Sequence, residues 1–458
     1  MTGKEKRQTY KMQNILHTHT HKHFTPFQVI ILGFAGVILF GTLLLMLPVS
    51  SQSGQPTSII DALFTSTSAV CVTGLIVFDT ATYWSVFGQA VIIILIQIGG
   101  MGVITVASSI AMLSGKKITL MQRSTIQEAL AAPKVGGIVR LTGFIIKTTL
   151  ITEIAGAVLM SPVFCKKFGI LRGIWMSLFH SISAFCNAGF DLMGSNEKFS
   201  SLTFLAENPV INIVIMSLII FGGIGFLTWD DIRTNKFHLK KYRMQSKIIL
   251  CTTAMLLLIP ALYFFFIEFR DEPISRRIWT SLFQVVTPRT AGFNTVPLNT
   301  ISEAGLGILI ILMLIGGAPG STAGGMKITT IAVMFKNSIS VFRKKEQAQF
   351  FGRSVSDDAV KSAATIFLLY TSMFISGGIV ISIIEDMPLT VCLFETASAI
   401  GTVGLSLGVT PTLCTASKLI LAALMYLGRV GGMTLVFAAL SSKTKNISKY
   451  PQEKIIVG

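Results

Sequence analysis

The sequence predicts an all-α integral membrane protein with eight transmembrane helices and four short re-entrant helices that enter the membrane without crossing it. Three observations lead to this prediction. Only 13% of the 458 residues are charged, against roughly 25% in a soluble domain. The apolar residues, 51% of the chain, gather in runs long enough to span a bilayer, which takes about 20 helical residues. A short motif also recurs four times between these runs.

Eight apolar runs predict the eight transmembrane helices. They cover residues 27–48, 84–113, 137–162, 208–229, 245–267, 304–336, 360–384 and 415–441. The first run is long enough to span a membrane and follows a polar, basic stretch, so we expect no cleaved signal peptide. We expect irregular backbone to interrupt only the sixth run, which is rich in glycine.

The basic residues are distributed as membrane topology predicts. The formal net charge of +17 would by itself fit a nucleic-acid partner. Cytoplasmic loops, however, carry an excess of Lys and Arg. Of the 38 Lys and Arg residues, 26 lie in segments that would face one side of the membrane: 1–24, 114–140, 230–247, 336–361 and 443–458. We therefore expect both termini in the cytoplasm and no nucleic-acid partner.

An internal motif occurs four times. In three copies a Leu-Phe pair precedes a glycine that lies ten positions after the Phe, as in Phe64 and Gly74, Phe179 and Gly189, and Phe394 and Gly404. The third copy along the chain is one residue shorter and contains Phe283 and Gly292. A glycine pair recurs in the apolar run after each copy: Gly99-Gly100, Gly222-Gly223, Gly316-Gly317 and Gly431-Gly432.

These motifs divide the chain into four parallel repeats between two cytoplasmic tails. The predicted boundaries are 1–26, 27–113, 114–234, 235–342, 343–442 and 443–458. Each repeat has an even number of spans, so the copies keep one orientation and can surround a pseudo-fourfold axis along the membrane normal. At 1.5 Å per residue, the segments before the repeated glycines are too short to cross, and we expect re-entrant helices at 58–69, 173–184, 274–286 and 389–399.

The residues after the short helices are candidates for a cation filter. A dehydrated cation needs oxygen ligands, and backbone carbonyls can supply them where glycine permits unusual φ and ψ angles. A single such glycine could be an ordinary helix C-cap, but four at matched positions favour a filter. The candidate filter residues are Val70, Cys71, Val72, Thr73, Gly74, Phe185, Cys186, Asn187, Ala188, Gly189, Arg289, Thr290, Ala291, Gly292, Ile400, Gly401, Thr402, Val403 and Gly404.

The sixth run contains a glycine-rich segment, residues 316–327, that cannot hold a regular helix. Glycine costs about 1 kcal/mol and proline about 3 kcal/mol relative to alanine in a helix. We expect a flexible plug below the filter. A phosphate-binding loop is disfavoured because Met326 stands where lysine is required. The candidate gating residues are Gly316, Gly317, Ala318, Pro319, Gly320, Ser321, Thr322, Ala323, Gly324, Gly325, Lys327 and Arg429.

Arg429 lies inside the eighth run, where a charge costs at least about 2.5 kcal/mol. It either faces a cavity that offers partners or extends its guanidinium to a membrane interface. Its alignment with the glycine-pair region favours the cavity. The glycine pairs themselves could serve close helix packing alone. Lys147 and Glu153 lie in the third run, and we assign them no role beyond structure.

The four loops, the glycine pairs and the stretch Thr287-Pro288-Arg289-Thr290-Ala291-Gly292-Phe293-Asn294 make the chain resemble the Trk/Ktr/HKT superfamily of potassium transporters. The resemblance covers residues 27–450 and is strongest to the membrane subunit of bacterial Ktr systems. It implies a multi-pass protein of the bacterial cell membrane with a pseudo-fourfold K⁺ filter at the loop glycines. Some members of the superfamily carry Ser at the first of these and admit Na⁺, so Gly74 indicates K⁺.

The resemblance also implies a mode of regulation. Residues 316–327 match the family's intramembrane gating loop, and Arg429 matches the pore arginine that engages it. The implied partners are a second copy of the chain, as a homodimer with one pore per subunit, and a separate cytosolic nucleotide-binding ring of the RCK type. We expect no cofactor in this chain. K⁺ would be the transported ion, and Na⁺ is a candidate activator.

The sequence bears on three classes of function. A gated, channel-like pore for K⁺ is favoured. An ion-coupled, Na⁺-dependent carrier is the alternative, although the sequence shows neither the inverted repeats nor the midplane carboxylates of many carriers. A membrane enzyme would need clustered His, Asp, Glu or Cys residues inside the membrane, and the sequence contains no such cluster.

Overall fold

The structure is a computed structural model that describes residues 25–114, 118–132, 136–195, 197–432 and 434. These residues are mostly helical. The sheet structure within them is one antiparallel hairpin of β1 (Gln349–Phe350) and β2 (Arg353–Ser354). The predicted tail 443–458, and all but two residues of the tail 1–26, lie outside the described residues.

The described helices can be grouped by the predicted repeat in which each begins. The first contains α1 (Pro26–Leu45), α2 (Ile59–Val70), α3 (Thr80–Tyr83), α4 (Val86–Met101) and α5 (Val103–Leu113). The second contains α6 (Leu120–Ala129), α7 (Ile138–Phe168), α8 (Ile170–Phe185), α9 (Pro209–Gly223) and α10 (Phe226–Asn235). The third contains α11 (Met244–Tyr263), α12 (Ile274–Val286), α13 (Glu303–Leu314) and α14 (Ile328–Phe342). The fourth contains α15 (Asp357–Glu385), α16 (Leu389–Gly401) and α17 (Thr415–Val430).

Short connecting turns complete the described structure. A π-helical turn, Phe264–Glu268, extends α11. Turns of 3₁₀ helix occur at Pro48–Ser50, Thr203–Leu205, Leu239–Lys241, Leu298–Thr300 and Thr410–Thr412.

Four helices among the described residues are long and apolar enough to cross a membrane: α1, α7, α15, and α11 together with its π-helical turn. They coincide with the first, third, seventh and fifth apolar runs. Local sequence fixes where such helices begin. At the start of α1, Thr25 and Gln28 form a capping box and Pro26 occupies the first turn, which is where proline is tolerated because no backbone N–H is needed.

The second and fourth runs are broken, which corrects the expectation that only the sixth would be interrupted. The α4–α5 pair bends by 94° and the α9–α10 pair by 98°. The breaks fall at Gly102 and Gly225, both with a φ of 88°. This left-handed backbone region costs glycine little, so the helix can end there. Counting each bent pair as one span brings the membrane-spanning candidates in the described ranges to six.

The four segments predicted to be re-entrant are the short helices α2, α8, α12 and α16. Each packs on the long helix that precedes it, in the pairs α1–α2, α7–α8, α11–α12 and α15–α16. Each also contacts a helix from the repeat before it, in the pairs α4–α8, α9–α12, α13–α16 and α17–α2. The last pair joins the end of the described chain to its beginning, so these contacts form a closed ring.

The repeated glycine motif needs one correction of register. A Cβ on Gly99 would lie 2.0 Å from the Val70 carbonyl oxygen, and one on Gly222 would lie 2.0 Å from that of Phe185. In the fourth repeat the same relation holds for Gly428, whose Cβ would lie 2.2 Å from the Ile400 oxygen. Gly428-Arg429, not Gly431-Gly432, is therefore the counterpart of the first two glycine pairs. Gly431, with a φ of 91°, corresponds to the helix breaks at Gly102 and Gly225.

Candidate functional site

Four loops follow the C-termini of the four short helices, and they contain the predicted filter residues. We call them loop 1 (70–74), loop 2 (185–189), loop 3 (289–292) and loop 4 (400–404). Their residues are buried, except that Gly292 and Gly404 are partly exposed. The loops thus begin where the sequence predicted that helix would stop.

Each loop has two positions with positive φ. The first is a residue other than glycine: Val72 (56°), Asn187 (60°), Thr290 (67°) and Thr402 (51°). The second is the repeated glycine: Gly74 (93°), Gly189 (69°), Gly292 (80°) and Gly404 (94°). In each loop the two positive-φ positions are separated by one residue. Left-handed backbone costs a non-glycine residue roughly 1–2 kcal/mol, and such strain tends to cluster at functional sites.

The repeated glycines hold the four loops against one another in a ring. A Cβ added to each glycine would collide with a carbonyl oxygen of the next loop, as follows: Gly74 with Ala188 (2.4 Å), Gly189 with Ala291 (2.5 Å), Gly292 with Val403 (2.3 Å), and Gly404 with Thr73 (2.2 Å). Only glycine fits at such distances. The loops, far apart in sequence, therefore surround a common centre.

Buried hydroxyls anchor the loops, and these residues were missed in the sequence analysis. Ser68 and Ser398 accept hydrogen bonds from the backbone N–H groups of Gly74 and Gly404, both at 3.0 Å. In the other two copies the hydroxyl donates to the carbonyl after the glycine: Ser183 to Phe190 (2.7 Å) and Thr287 to Phe293 (2.5 Å). All four hydroxyls lie four residues after the Phe of the repeated motif, so the sequence did contain the signal.

Loops 2 and 3 are also joined by a side chain. The Asn187 amide donates to the Thr290 hydroxyl at 3.1 Å and to the Arg289 carbonyl at 3.2 Å. Arg289 itself is 7% exposed and lines a cavity of about 10 Å³ together with Ile220 and Gly223. This cavity lies where loop 3 and the end of α12 meet α9.

The glycine-rich segment 316–327 lies between α13 and α14 and packs against the helix ends next to the ring. The Thr322 hydroxyl donates to the Phe185 carbonyl at 3.0 Å. Backbone hydrogen bonds join it to neighbouring helices: Thr322 N to Gly222 O (3.2 Å), Ala318 N to Gly223 O (2.9 Å) and Gly325 N to Gly428 O (3.1 Å). Because the segment follows a helix and not a strand, it is not a phosphate-binding loop.

Arg429 and Lys327 bind backbone carbonyls next to this segment. The Arg429 guanidinium donates to the carbonyls of Thr322, Gly99 and Gly100. It thereby connects α17 to both the glycine-rich segment and α4. The Lys327 ammonium donates to the Ala323 carbonyl at 2.7 Å. This geometry favours the cavity-facing position of Arg429 over extension to a membrane interface.

A cavity of about 340 Å³ lies beside the glycine-rich segment. Arg429 and Lys327 line it, as do Glu128 and Tyr370. Backbone of the segment itself, at Gly320 and Gly325, forms part of its wall. The segment thus contributes both residues and backbone to the cavity wall.

Comparison with known proteins establishes the family. The profile of the TrkH family, described as a cation transport protein, matches residues 9–450. The chain belongs to the TrkH family. As a member of this family it is a transport protein and not an enzyme, and its apolar helices fit a multi-pass membrane protein.

Several relatives resemble this TrkH-family chain over nearly its whole length. The potassium/sodium uptake protein NtpJ of Enterococcus hirae is 40% identical, with 97% of this chain and 100% of the relative covered. The Ktr system potassium uptake protein B of Bacillus subtilis is also 40% identical, with coverage of 95% and 97%. The crystal structure of the potassium transporter TrkH from Vibrio parahaemolyticus superposes with a TM-score of 0.71 at 20% identity, covering 92% of this chain and 86% of that one. The structural match supports the fold.

Proposed function

We propose that this protein is a potassium-selective, channel-like uptake pore of the bacterial cell membrane. The observation that carries the proposal is the ring of four glycine loops, in which each glycine touches a carbonyl of the next loop. Backbone oxygens held in this way can replace the hydration shell of a K⁺ ion. The Bacillus subtilis relative is named as a potassium uptake protein and the Enterococcus hirae relative as a potassium/sodium uptake protein, and both names support transport of K⁺.

The proposed topology has eight crossings and four re-entrant helices around a pseudo-fourfold axis. The bent pairs α4–α5 and α9–α10 would each count as one crossing. Helices α13 and α14 would make another across the glycine-rich segment, and α17 would begin the last. The repeats would keep the boundaries 27–113, 114–234, 235–342 and 343–442, with both termini in the cytoplasm, in agreement with the excess of basic residues on that side.

The proposed mechanism uses backbone oxygen for selection and the glycine-rich segment for gating. The C-termini of α2, α8, α12 and α16 each carry about half a negative charge and end at the loops, where they stabilise a cation. The carbonyls of loops 1 to 4 would bind dehydrated K⁺, which is cargo and not a cofactor. The glycine-rich segment, held by Thr322 and Arg429, would close the path until it moves and opens the way to the 340 Å³ cavity.

Regulation by other chains is part of the proposal. The Bacillus subtilis relative is named as a component of a Ktr system, which supports a partner subunit. We infer a cytosolic nucleotide-binding ring of the RCK type that docks on the basic inner loops. We also infer a homodimer in which each subunit keeps its own pore.

A Na⁺-dependent carrier is the second candidate, because sodium appears in the name of the Enterococcus hirae relative. The two mechanisms predict different fluxes from purified protein in liposomes. A pore gives a K⁺ current that follows the voltage without added Na⁺. A carrier gives slow, saturating K⁺ exchange that requires a Na⁺ gradient.

Replacement of Gly74 by Ser tests the filter. Its Cβ would lie 2.4 Å from the Ala188 carbonyl oxygen, so loops 1 and 2 must separate and the ring of oxygens must widen or lose a ligand. We expect K⁺ uptake into liposomes to become competitively inhibited by Na⁺. Gly54→Ser is the matched control, because Gly54 also has positive φ (68°) but no neighbour within 4 Å. Unchanged selectivity in folded Gly74→Ser protein would contradict the filter assignment.

A further inference from the structure

Glu153 is a buried carboxyl group behind loop 2 that the proposed mechanism does not use. It is 3% exposed and lies in the middle part of α7. The Gln97 amide of α4 donates to one carboxyl oxygen at 3.1 Å. The Cys186 thiol, at the start of loop 2, donates to the other at 3.8 Å and lies 3.7 Å from the Gln97 amide oxygen. The carboxyl group thus links α7, α4 and loop 2.

A buried carboxyl group in the middle of an apolar helix requires a physical explanation. Ionisable residues inside membrane helices are costly, and most serve a function. Packing alone does not require this one, because the first repeat has an isoleucine at the matching position. Ser66 donates to the Ile38 carbonyl at 2.7 Å, just as Ser181 donates to that of Glu153 at 2.6 Å. Ile38 is 6% exposed, so the fold accepts an apolar side chain at this position.

The glycines that follow confirm that the two positions match. Gly41 lies three residues after Ile38, and Gly156 three residues after Glu153. A Cβ on either glycine would lie 2.5 Å from the hydroxyl oxygen of the same serine, Ser66 or Ser181. Glu153 therefore distinguishes the second repeat from the first at one defined site behind the loop.

We propose that Glu153 is a positioning residue that determines cation specificity by holding loop 2 in place. Its contact with Cys186 fixes the residue next to Asn187, which is one of the two positive-φ positions of loop 2 (φ 60°). The Asn187 amide in turn bonds to Thr290 of loop 3 at 3.1 Å. Loss of the carboxyl group would loosen both loops and let the oxygen ring adapt to a smaller ion. The inference rests on the proposed function, since it assumes that the loops select K⁺.

The test compares Glu153→Ile and Glu153→Gln with wild type in the full chain, reconstituted in liposomes. The isoleucine reproduces the residue at the matching position of the first repeat and removes the contacts with Gln97 and Cys186. The glutamine keeps one acceptor oxygen. We expect the ratio of K⁺ to Na⁺ uptake to fall about fivefold with Ile, the factor for one buried hydrogen bond, and by less with Gln. Glu207→Gln, which removes an exposed carboxylate in a turn, is the control and should leave the ratio unchanged.

A double-mutant cycle with Cys186→Ala shows whether Glu153 acts through loop 2. Residues that act together give non-additive effects, so we expect the double variant to be no worse than Cys186→Ala alone. Folded Glu153→Ile with a wild-type uptake ratio, or an additive cycle, would overturn the inference. If Glu153→Ile does not fold, the same comparison is made with Glu153→Gln and with the double-mutant cycle of Glu153→Gln and Cys186→Ala. Wild-type protein without K⁺ preference would instead contradict the proposed function.

Discussion

Single glycines, which have no side chain, decide how closely the backbone segments of this protein approach one another. A Cβ on Gly99, Gly222 or Gly428 would lie within 2.2 Å of a carbonyl oxygen in the last two residues of the short helix beside it. The carbonyls of Gly222 and Gly428 also accept hydrogen bonds from the glycine-rich segment. Close packing, which the sequence left as an alternative role for the glycine pairs, is therefore their evident structural role at these positions.

Gly99→Ala should destabilise the protein. Its Cβ would lie 2.0 Å from the Val70 carbonyl oxygen, and overpacking of this kind costs about 1–3 kcal/mol. We expect a lower midpoint of thermal unfolding in detergent. Gly36→Ala is the control, because nothing lies within 4 Å of its added Cβ and alanine favours helix over glycine by about 1 kcal/mol. Equal midpoints for the two variants would show that α4 and loop 1 can move apart at little cost.

The element that departs furthest from regular structure is the glycine-rich segment 316–327. Glycine and proline prevent a helix there, and the freed backbone groups find partners in three other elements. Thr322 bonds to α9 and to the end of α8, and Gly325 bonds to α17. Backbone groups inside a membrane need such partners, so the segment is held by its surroundings and can be released if they change.

Deletion of residues 318–324 should raise the rate of K⁺ flux through reconstituted protein and leave K⁺ over Na⁺ selectivity unchanged. The deletion removes the part of the proposed gate that lines the 340 Å³ cavity but none of the loop residues. Thr322→Val is a milder variant that removes only the hydroxyl contact with the Phe185 carbonyl, and we expect it to raise flux by a smaller factor. A fall in flux with folded protein in both variants would show that the segment is scaffold.

At the scale of the whole molecule, the ring closes where the fourth repeat meets the first. Helix α17 packs on α2, and Lys418 pairs with Asp61 across this contact at 2.9 Å, with 12% and 18% of their side chains exposed. Asp61 also lies in the first turn of α2, where the helix dipole favours a negative charge. The contact joins residues that are 357 positions apart in the chain.

Lys418→Met should weaken this closure while keeping the apolar part of the side chain. A pair of intermediate exposure lies between the roughly 0–1 kcal/mol of surface pairs and the 3–5 kcal/mol lost when a buried pair is broken. We expect the free energy of unfolding to fall by about 1–2 kcal/mol, which will appear as a lower midpoint of thermal unfolding in detergent. Lys361→Met, at an exposed helix position, should have little effect. An equal fall of the midpoint in Lys418→Met and Lys361→Met would mean that the loss of a positive charge, and not the loss of the contact with Asp61, lowers the stability.

Local sequence patterns by themselves determined the helices, the recurring loops and their glycines, since hydrophobicity and glycine placement act within about 20 residues. Family membership and cation transport agree with that interpretation. The tertiary structure decided which glycines are equivalent, because the register depends on the contact of Gly428 with Ile400 and not on the Gly-Gly pattern. It also decided the breaks at Gly102 and Gly225, the carbonyl partners of Arg429 and the contacts of Glu153. The partners of Arg429 and Glu153 are distant in sequence, so no local pattern can specify them.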